Sequence, residues 1–310
     1  MLARATIPAS DVALLATPSL DRPVAHRNLQ SGFSMLAESG FPPAFADETQ
    51  LAGVRLLFAT AATQLGVQQV APLRRYVEEG GVLITTAGFA TRAERGRLFD
   101  SPPGEGWAEW LGFRYDVALK REGLRGRDKI TLKDGGPFQF GDIKMATTPF
   151  AVALLDVAPD VEILARLADG TPAVLHRKIG RGHLYHFNFL HREWNWGMSV
   201  PPDREPARQL VSEIARRHDL TPRFYIENRA ATAVAGDGLP YWSSQLFVGA
   251  DGHTHYLVVF NDHRSPLVTG RIHWYARGWR LHDLLDGTDL TWTGQSERGD
   301  YLDLPMLPGA

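Results

Sequence analysis

The sequence contains no cysteine among its 310 residues. This absence excludes disulfide bonds, thiolate metal sites, iron–sulfur clusters and cysteine nucleophiles. Lysine and arginine are scattered, and a formal charge of -2 gives no electrostatic basis for binding nucleic acid or an anionic membrane. No apolar run approaches the roughly 20 residues that span a bilayer, and the segment Met1–Pro8 has no apolar signal-peptide core. We therefore expect a cytoplasmic protein that binds neither nucleic acid nor membranes and uses no cofactor.

The composition is that of an ordinary globular protein, with 44% hydrophobic and 22% charged residues. A chain of 310 residues is longer than a typical single domain of about 100–200 residues. The patterns described below place the division near residue 220. We predict an α/β domain over residues 1–220 and a small all-β domain over residues 221–310.

The first region repeats a strand–helix unit. Short apolar runs at Asp11–Thr17, Val54–Thr60 and Val82–Thr86 have the continuous apolarity of strands that are covered on both faces. Helical spacing of apolar residues follows the first run over Arg27–Ser39 and the second over Val67–Glu79. Strands that alternate with helices of about a dozen residues predict βαβ units and a parallel sheet.

The patterns change after this repeat. Residues 87–160 are rich in Gly and Pro and predict loops, a short helix at Trp107–Leu111 and several β segments. Turn signals within residues 162–190 predict a small antiparallel meander, and Pro206–Asp219 has the apolar spacing of a closing helix. Short strands separated by turns at high density after Pro222 predict a β-sandwich.

Four segments together resemble the non-catalytic C-terminal half of family 42 β-galactosidases, meaning the trimerisation domain and the β-domain that follows it. The segments are Leu73–Ile84, Lys178–Tyr185, Tyr256–Asp262 and Gly278–Gly287. The resemblance implies a flavodoxin-like domain of the class I glutamine amidotransferase type that lacks the catalytic triad. It also implies that the partner is either further copies of the same chain, in a trimer, or a separate catalytic barrel domain.

The sequence departs from that family in one respect. The family's catalytic glutamates lie in an N-terminal (β/α)8 barrel, which alone takes about 250 residues. Nothing in this chain corresponds to such a barrel. By resemblance the chain is expected to be the accessory half of a glycosidase, either excised or encoded as a separate protein.

An amidotransferase-like fold places its nucleophile on a tight turn after a central strand. The matching stretch here is Ile84–Thr91, where Gly88 or Phe89 occupies the turn, and neither side chain can act as a nucleophile. The hydroxyls of Thr86 and Thr91 are alternatives, although an activated threonine needs an adjacent base. We assign no catalytic nucleophile to this turn.

The pair His191 and Glu193 follows the meander and resembles the His-x-Glu pair of class I amidotransferases. Glu193 is placed to orient the imidazole of His191, as the third member of a triad orients its base. Without a nucleophile, a loop-pinning role is favoured over an acid–base role. Trp194 and Trp196, in the same segment, are either subunit-interface residues, which we favour, or a surface for stacking sugar rings.

Other chemistry-bearing residues have simpler interpretations. His253 and His255 are expected to be solvent-facing turn residues rather than metal ligands, because no third ligand is evident. Asp283 and Asp286 are expected at a strand end and turn rather than as a glycosidase pair. Alternation in the β-domain directs Trp274 into the core, which favours packing over a carbohydrate-binding face for the set Trp274, Tyr275, Trp279 and Trp292.

Three functions therefore remain open on the sequence. The first is a non-catalytic, oligomer-forming accessory module of a β-galactosidase-like glycoside hydrolase system. The second is a stand-alone hydrolase that uses the His191/Glu193 loop, with Trp194 and Trp196 holding a sugar. The third is a carbohydrate-binding protein that uses the same two aromatic residues.

Overall fold

The structure of the chain, a computed structural model, describes residues 5–6, 10–16, 29–33, 35–37, 39–60, 62–116, 130–132, 143–145, 153–166, 170–188, 204–228, 242–261, 268–296 and 299–306. The chain divides into two compact units. The sheet unit comprises Ser10–Ser34 and Pro43–Ser199, and the C-terminal unit comprises Met1–Ala9, Met35–Pro42 and Val200–Ala310. The domain boundary near residue 220 stays a prediction.

The described part of the sheet unit contains strands from one large sheet and two separate two-stranded pairs. In chain order these strands are β1 (Val12–Leu15), β2 (Ala44–Ala46), β3 (Leu56–Ala59), β4 (Val82–Thr86), β5 (Arg114–Tyr115), β6 (Ile130–Leu132), β7 (Ile143–Met145), β8 (Leu154–Leu155), β9 (Glu162–Arg166), β10 (Pro172–Ile179) and β11 (Gly182–Phe187). The large sheet has seven strands in the order β2-β1-β3-β4-β11-β10-β9. Strands β5 and β8 pair with each other, as do β6 and β7.

The large sheet is parallel over most of its width. Strands β2, β1, β3, β4 and β11 pair in parallel, whereas β10 and β9 are added in antiparallel orientation. Every residue of β1, β3 and β4 is buried, as continuous apolar runs require in a sheet covered on both faces. The prediction of an α/β protein with a parallel sheet is confirmed.

The helices of the sheet unit also match the sequence pattern. Helix α1 (Val67–Glu78) buries Gln69, Val70, Leu73, Tyr76 and Val77, and helix α2 (Trp107–Leu111) lies where a short helix is predicted. Helix α1 is followed by Gly80 and Gly81. A side chain at Gly182, the first residue of β11, would collide with the Val77 carbonyl oxygen. Glycine at that position therefore allows β11 to start directly against the end of α1.

The predicted crossover helix before Gly40 is present, because residues 29–33 and 35–37 are helical. Gly40 has a φ of +84° and donates its backbone N–H to Ala37, which is the geometry of a glycine that ends a helix. Helix α3 (Arg204–Arg217) lies in the C-terminal unit and begins two residues before the predicted start.

The C-terminal unit is otherwise built from antiparallel strands. They are β12 (Phe224–Asn228), β13 (Trp242–Val248), β14 (His255–Asn261), β15 (Val268–Trp274), β16 (Leu281–Asp283), β17 (Thr288–Leu290), β18 (Gly294–Ser296) and β19 (Gly299–Met306). Strands β12-β15-β19-β18 form one sheet, and β13-β14 and β16-β17 form two separate pairs.

Side chains of the four-stranded sheet and of the β13–β14 pair share one hydrophobic cluster. Its buried members are Phe224, Ile226, Leu246, Ile272 and Trp274. The cluster takes alternate residues from β12 and β15, so each of these strands has one apolar face. The alternation predicted for this region is confirmed.

Candidate functional site

The four site residues predicted from the sequence are His191, Glu193, Trp194 and Trp196. All four lie outside the described residues. The strand that precedes them, β11, is described and ends at Phe187. The roles assigned to these four residues stay predictions.

The turn after β4, where an amidotransferase-like fold would place its nucleophile, spans residues 87–90. Gly88 has a φ of +88°, and Ala90 has a φ of +52°, which L residues rarely adopt. The backbone of Ala90 is held on both sides, because its N–H donates to Ala62 and its carbonyl accepts from Gly104. The strained position of this turn therefore carries a methyl group and no reactive atom.

The two hydroxyls beside this turn already have backbone partners. Thr86 donates its Oγ1 hydroxyl to the carbonyl of Thr60 at 3.2 Å, and Thr91 donates its hydroxyl to the carbonyl of Gly88 at 2.9 Å. Both threonines are buried. Among the described residues neither hydroxyl contacts a histidine or a carboxylate, so neither has the base that an activated threonine needs.

Aromatic side chains fill the space around the turn. Phe89 is fully buried and meets Trp107 of α2 edge to face, with ring centroids 4.9 Å apart. Trp107 also contacts Trp110 edge to face, with ring centroids 5.0 Å apart. The Arg74 guanidinium lies 5.7 Å from the centroid of the Trp107 ring. Such edge-to-face and cation–π contacts stabilise packed cores. The turn is therefore part of the hydrophobic core.

His186 is a buried titratable residue that the sequence analysis did not single out. It lies in β11 with no exposed surface, and its Nδ1 is 2.9 Å from the Thr85 hydroxyl. Its Nε2 has no hydrogen-bond partner among the described residues, and its ring centroid is 4.7 Å from that of Phe113. Burial lowers the pKa of His186 to about 3, so the imidazole is neutral near pH 7. A histidine within an apolar strand was the available sequence signal.

Tyr115 of β5 packs close to His186, with ring centroids 5.8 Å apart. Burial raises the pKa of the Tyr115 hydroxyl far above its ordinary value. So low a pKa makes His186 a weak base, and so raised a pKa makes the Tyr115 hydroxyl a weak acid, so neither is matched to proton transfer near neutral pH. Their arrangement is that of a polar element of the core.

Three titratable residues of the antiparallel edge form a second cluster that the sequence analysis did not single out. Glu162, His176 and His183 lie on the adjacent strands β9, β10 and β11 and are hydrogen-bonded in series. Their spacing along the sequence gives no motif, because the contacts depend on strand register.

The aromatic residues of the C-terminal unit pack as predicted. Trp274 and Ile272 are buried on one face of β15, whereas His273 and Tyr275 are half-buried on the other. Trp279 and Trp292 pack against the same cluster, and the Trp292 indole donates to the Trp279 carbonyl at 2.8 Å. The preference for core packing over a sugar-stacking face is therefore supported for the tryptophans.

The two histidines near Asp251 differ from each other. His253 is exposed in a turn, where its backbone N–H donates to Asp251 at 2.9 Å, as predicted. His255 begins β14 and stacks on Trp279 with ring centroids 4.5 Å apart. Burial, with a smaller effect of the Arg223 charge, lowers the pKa of His255. The prediction of a solvent-facing turn residue is wrong for His255, because the strand begins there and turns the ring onto the tryptophan.

Asp283 and Asp286 occupy a strand end and turn, as predicted. Asp283 is the last residue of β16, and its Oδ1 accepts backbone N–H groups from Leu285 at 2.8 Å and Asp286 at 3.3 Å. A carboxylate that caps its own turn in this way has a local structural role.

Within the described ranges no group of three or more His, Asp or Glu side chains is arranged to hold a metal ion. Among the helices that the structure describes, none is long and apolar enough to cross a membrane.

No protein-family model matches the chain, and no curated protein matches it. Solved structures of β-galactosidases do match its fold. A catalytic mutant of a family 42 β-galactosidase from G. stearothermophilus has a TM-score of 0.64 at 15% identity, with 97% of this chain and 40% of that chain covered. The β-galactosidase from Bacillus circulans sp. alkalophilus has a TM-score of 0.63 at 18% identity, with 96% and 41% covered.

A β-galactosidase from Rahnella sp. gives a TM-score of 0.57 at 13% identity, with 98% of this chain and 40% of that chain covered. The chain therefore spans about two fifths of the length of the β-galactosidases it matches. At these identities the likeness is one of fold. The matched fold is that of one part of each β-galactosidase.

Proposed function

We propose that this chain is a non-catalytic, oligomer-forming accessory module of a β-galactosidase-like glycoside hydrolase system. In this proposal residues 1–220 form the amidotransferase-like trimerisation domain, and residues 221–310 form the β-sandwich that follows it. The observation that carries the proposal is the fold match, which includes nearly the whole of this chain and only about two fifths of each β-galactosidase.

The turn after β4 gives independent support. A nucleophile elbow presents its reactive atom on a strained turn that is open to substrate. Here the turn residues Phe89 and Ala90 are each 1% exposed, and Trp107 closes over Phe89. Opening this turn to a substrate would require the removal of several aromatic rings from the core. The arrangement favours a scaffold over an amidotransferase-like enzyme.

The partners that fit the proposal are further copies of the same chain, in a trimer, or a catalytic barrel on a separate chain. The segment His191–Trp196 is the point at which the competing functions differ. In the scaffold, Trp194 and Trp196 lie in a subunit interface. In a stand-alone hydrolase, His191 and Glu193 are the acid–base pair, and in a sugar-binding protein the two indoles stack on the sugar.

Two measurements on the purified chain test the proposal. Multi-angle light scattering is expected to give the mass of an oligomer, and Trp194→Ala is expected to reduce that mass towards the 34.3 kDa monomer. The matched control is Trp292→Ala, which removes a half-buried indole of the β-domain cluster and should leave the mass unchanged.

Hydrolysis of a panel of chromogenic glycosides forms the second arm, with Glu193→Gln as the control for a contaminating enzyme. The scaffold predicts no turnover by either protein. Turnover that disappears in Glu193→Gln would overturn the proposal and make the His191–Trp196 segment an active site. A monomer whose tryptophan fluorescence is quenched by galactosides would favour the sugar-binding protein instead.

A further inference from the structure

Three titratable side chains form a continuous hydrogen-bonded series across the antiparallel edge of the large sheet. Glu162 Oε2 lies 3.1 Å from His176 Nδ1, and His176 Nε2 lies 2.9 Å from His183 Nδ1. The series joins β9, β10 and β11, which are three adjacent strands. Each contact is within ordinary hydrogen-bond distance.

Strand register explains why these side chains meet. His176 stands directly opposite Glu162 on β9 and Tyr185 on β11, while His183 is opposite Lys178. Residues opposite each other or two apart along a strand share a face, so all of these side chains project from one side of the sheet. The His176 ring stacks on Tyr185 with centroids 4.6 Å apart, which fixes its position.

The two imidazoles are aligned for a hydrogen bond rather than for a shared metal ion. Their planes differ by only 11°, and their centroids are 5.2 Å apart. A metal bound by both nitrogens would lie about 2.0–2.1 Å from each, at an angle that turns the two rings towards a third point. Nitrogens only 2.9 Å apart in nearly parallel rings instead suit a direct N–H···N bond.

The donors in this series follow from chemistry. An ionised carboxylate only accepts, so Nδ1 of His176 must carry a hydrogen and donate to Glu162. In neutral His176 the Nε2 atom is then an acceptor, and His183 must donate from its own Nδ1. One added proton converts His176 into an imidazolium that donates to both Glu162 and His183, so every bond is kept. A second added proton places two N–H groups against each other and breaks the bond between the rings.

We propose that Glu162, His176 and His183 form a proton-responsive clasp on the antiparallel edge of the sheet, which accepts one proton with its bonds intact and opens on the second. The clasp connects the edge strand β9, through β10, to β11. Singly protonated, it contains an ion pair between His176 and Glu162. Doubly protonated, it loses the side-chain bond between His176 and His183, while the backbone pairing of β10 with β11 remains.

The surrounding charges make the second proton unfavourable. Burial lowers the pKa of His183, and the charges of His176 and Lys178 lower it further. From the described elements packed against the pair, β9 contributes Glu162, β10 contributes Lys178, and β11 contributes the Tyr185 hydroxyl. The neighbouring strand β4 contributes only Val82 opposite His183. Among the described residues, Glu162 supplies an anion in direct contact with the pair, through its bond to His176.

Arg177 of β10 forms a second set of side-chain contacts beside the clasp. Arg177 pairs with Asp160 at 2.8 Å and donates to the Glu109 and Trp110 carbonyls at 2.6 Å. Arg177 directly follows His176 in β10, so the two side chains lie on opposite faces of the sheet. Because a guanidinium remains charged throughout the accessible pH range, Arg177 keeps its charge when the clasp changes its protonation state.

Ring-nitrogen NMR on the ¹⁵N-labelled full chain tests the proposal. At pH 7.5 both His176 and His183 are expected as Nδ1–H tautomers, and on acidification the pair should titrate in two separated steps. In Glu162→Gln, whose side chain is half exposed, the carboxylate that fixes the Nδ1–H tautomer of His176 is lost, so the Nε2–H tautomer of His176 should become populated. In His176→Gln, the midpoint of His183 should move up, because the charge of His176 that lowers its pKa is removed.

The matched control is His253→Gln, which removes an exposed histidine of the C-terminal unit and should leave both steps in place. Two results would overturn the proposal. One is titration of His176 and His183 as independent residues, with midpoints that do not respond to loss of the partner. The other is an Nε2–H tautomer for His176 at pH 7.5, which is incompatible with donation to Glu162.

Discussion

The central strands of the sheet unit and the strands of the C-terminal unit bury their side chains in different ways. In β4 every residue from Val82 to Thr86 is buried. In β15, Ile272 and Trp274 are buried, while Arg271 and His273 between and beside them are half-buried. In a strand covered on both faces every side chain is packed, and polar residues such as Thr85 and Thr86 have hydrogen-bond partners inside the core. A strand covered on one face has a position facing solvent at every second residue.

This difference also determines where each unit holds its polar groups. The sheet unit contains an imidazole, His186, in the interior of its core. On the solvent side of its four-stranded sheet the C-terminal unit has Arg271 paired with Asp303 and lying 3.7 Å from the Tyr301 ring centroid. Interior polar groups respond to pH through their cost of ionisation, whereas partly exposed pairs contribute through their mutual attraction.

Alanine substitutions at adjacent positions give the largest expected effects. Leu83→Ala and Ile84→Ala should each lower the free energy of unfolding by about 3 kcal/mol, because both side chains are fully buried on opposite faces of β4. Ile272→Ala should cost a similar amount, while His273→Ala should cost less than about 1 kcal/mol. Urea denaturation measures all four. Equal losses at Ile272 and His273 would remove the distinction between the two kinds of strand.

The next effect concerns acid stability. The pKa of a histidine is near 6.5 in the unfolded chain, whereas burial lowers the pKa of His186 to about 3 in the folded protein. Between pH 6.5 and pH 3 the unfolded state therefore binds one proton more than the folded state. Stability therefore falls as pH falls below about 6.5. From pH 6.5 to 5.0, wild type should lose about 1.5 kcal/mol more than His186→Leu. Urea denaturation at each pH checks this, with exposed His253→Gln expected to retain the wild-type loss; parallel curves for wild type and His186→Leu would contradict it.

Ion pairs in the two units should differ by a smaller amount. A double-mutant cycle on Arg271 and Asp303, whose two bonds are 2.6 and 2.7 Å long, should give a coupling energy of about 1 kcal/mol. The matched pair Asp11 and Arg55 in the sheet unit is half exposed and 3.7 Å apart, and its coupling should be close to zero. Indistinguishable couplings in urea denaturation would show that geometry and burial do not separate these pairs.

The smallest effect tests the strained turn. Ala87→Gly should cost about 1 kcal/mol, because a buried methyl group is lost and glycine is more flexible in the unfolded chain. At Ala90 the same losses are offset by relief of the positive φ, so Ala90→Gly should stay within about 0.5 kcal/mol of wild type. Thermal and urea unfolding of both variants provide the comparison. A larger loss at Ala90 than at Ala87 would mean that the turn is unstrained.

Much of the fold is predictable from local patterns. The runs at Val82–Thr86 and Val67–Glu79 predict β4 and α1 almost to the residue, because apolar periodicity and the following glycines agree. The strand Ala44–Ala46 is not predictable in this way, since a three-residue edge strand with Phe45 exposed has no apolar face. The strand Phe224–Asn228 is not among the predicted strands, although apolar and polar residues alternate in its sequence.

The candidate site is less predictable than the fold. The packing around Phe89 depends on its contact with Trp107. Trp107 belongs to helix α2, and the irregular segment before this helix gives no pattern from which the contact could be predicted. The meeting of Glu162, His176 and His183 depends on the register of three strands, which no local pattern specifies. His191, Glu193, Trp194 and Trp196 remain predictions that rest on the sequence.

The order of strands in the large sheet has a consequence for how this chain is made. β4 is completed at Thr86, yet its partner β11 begins only at Gly182. During synthesis this strand therefore keeps one row of backbone donors and acceptors unpaired until about a hundred further residues have been made. An open edge of this kind attracts other chains. Any version of the protein that stops before β11 is complete would keep that edge permanently, and aggregation rather than a smaller folded domain is its expected fate.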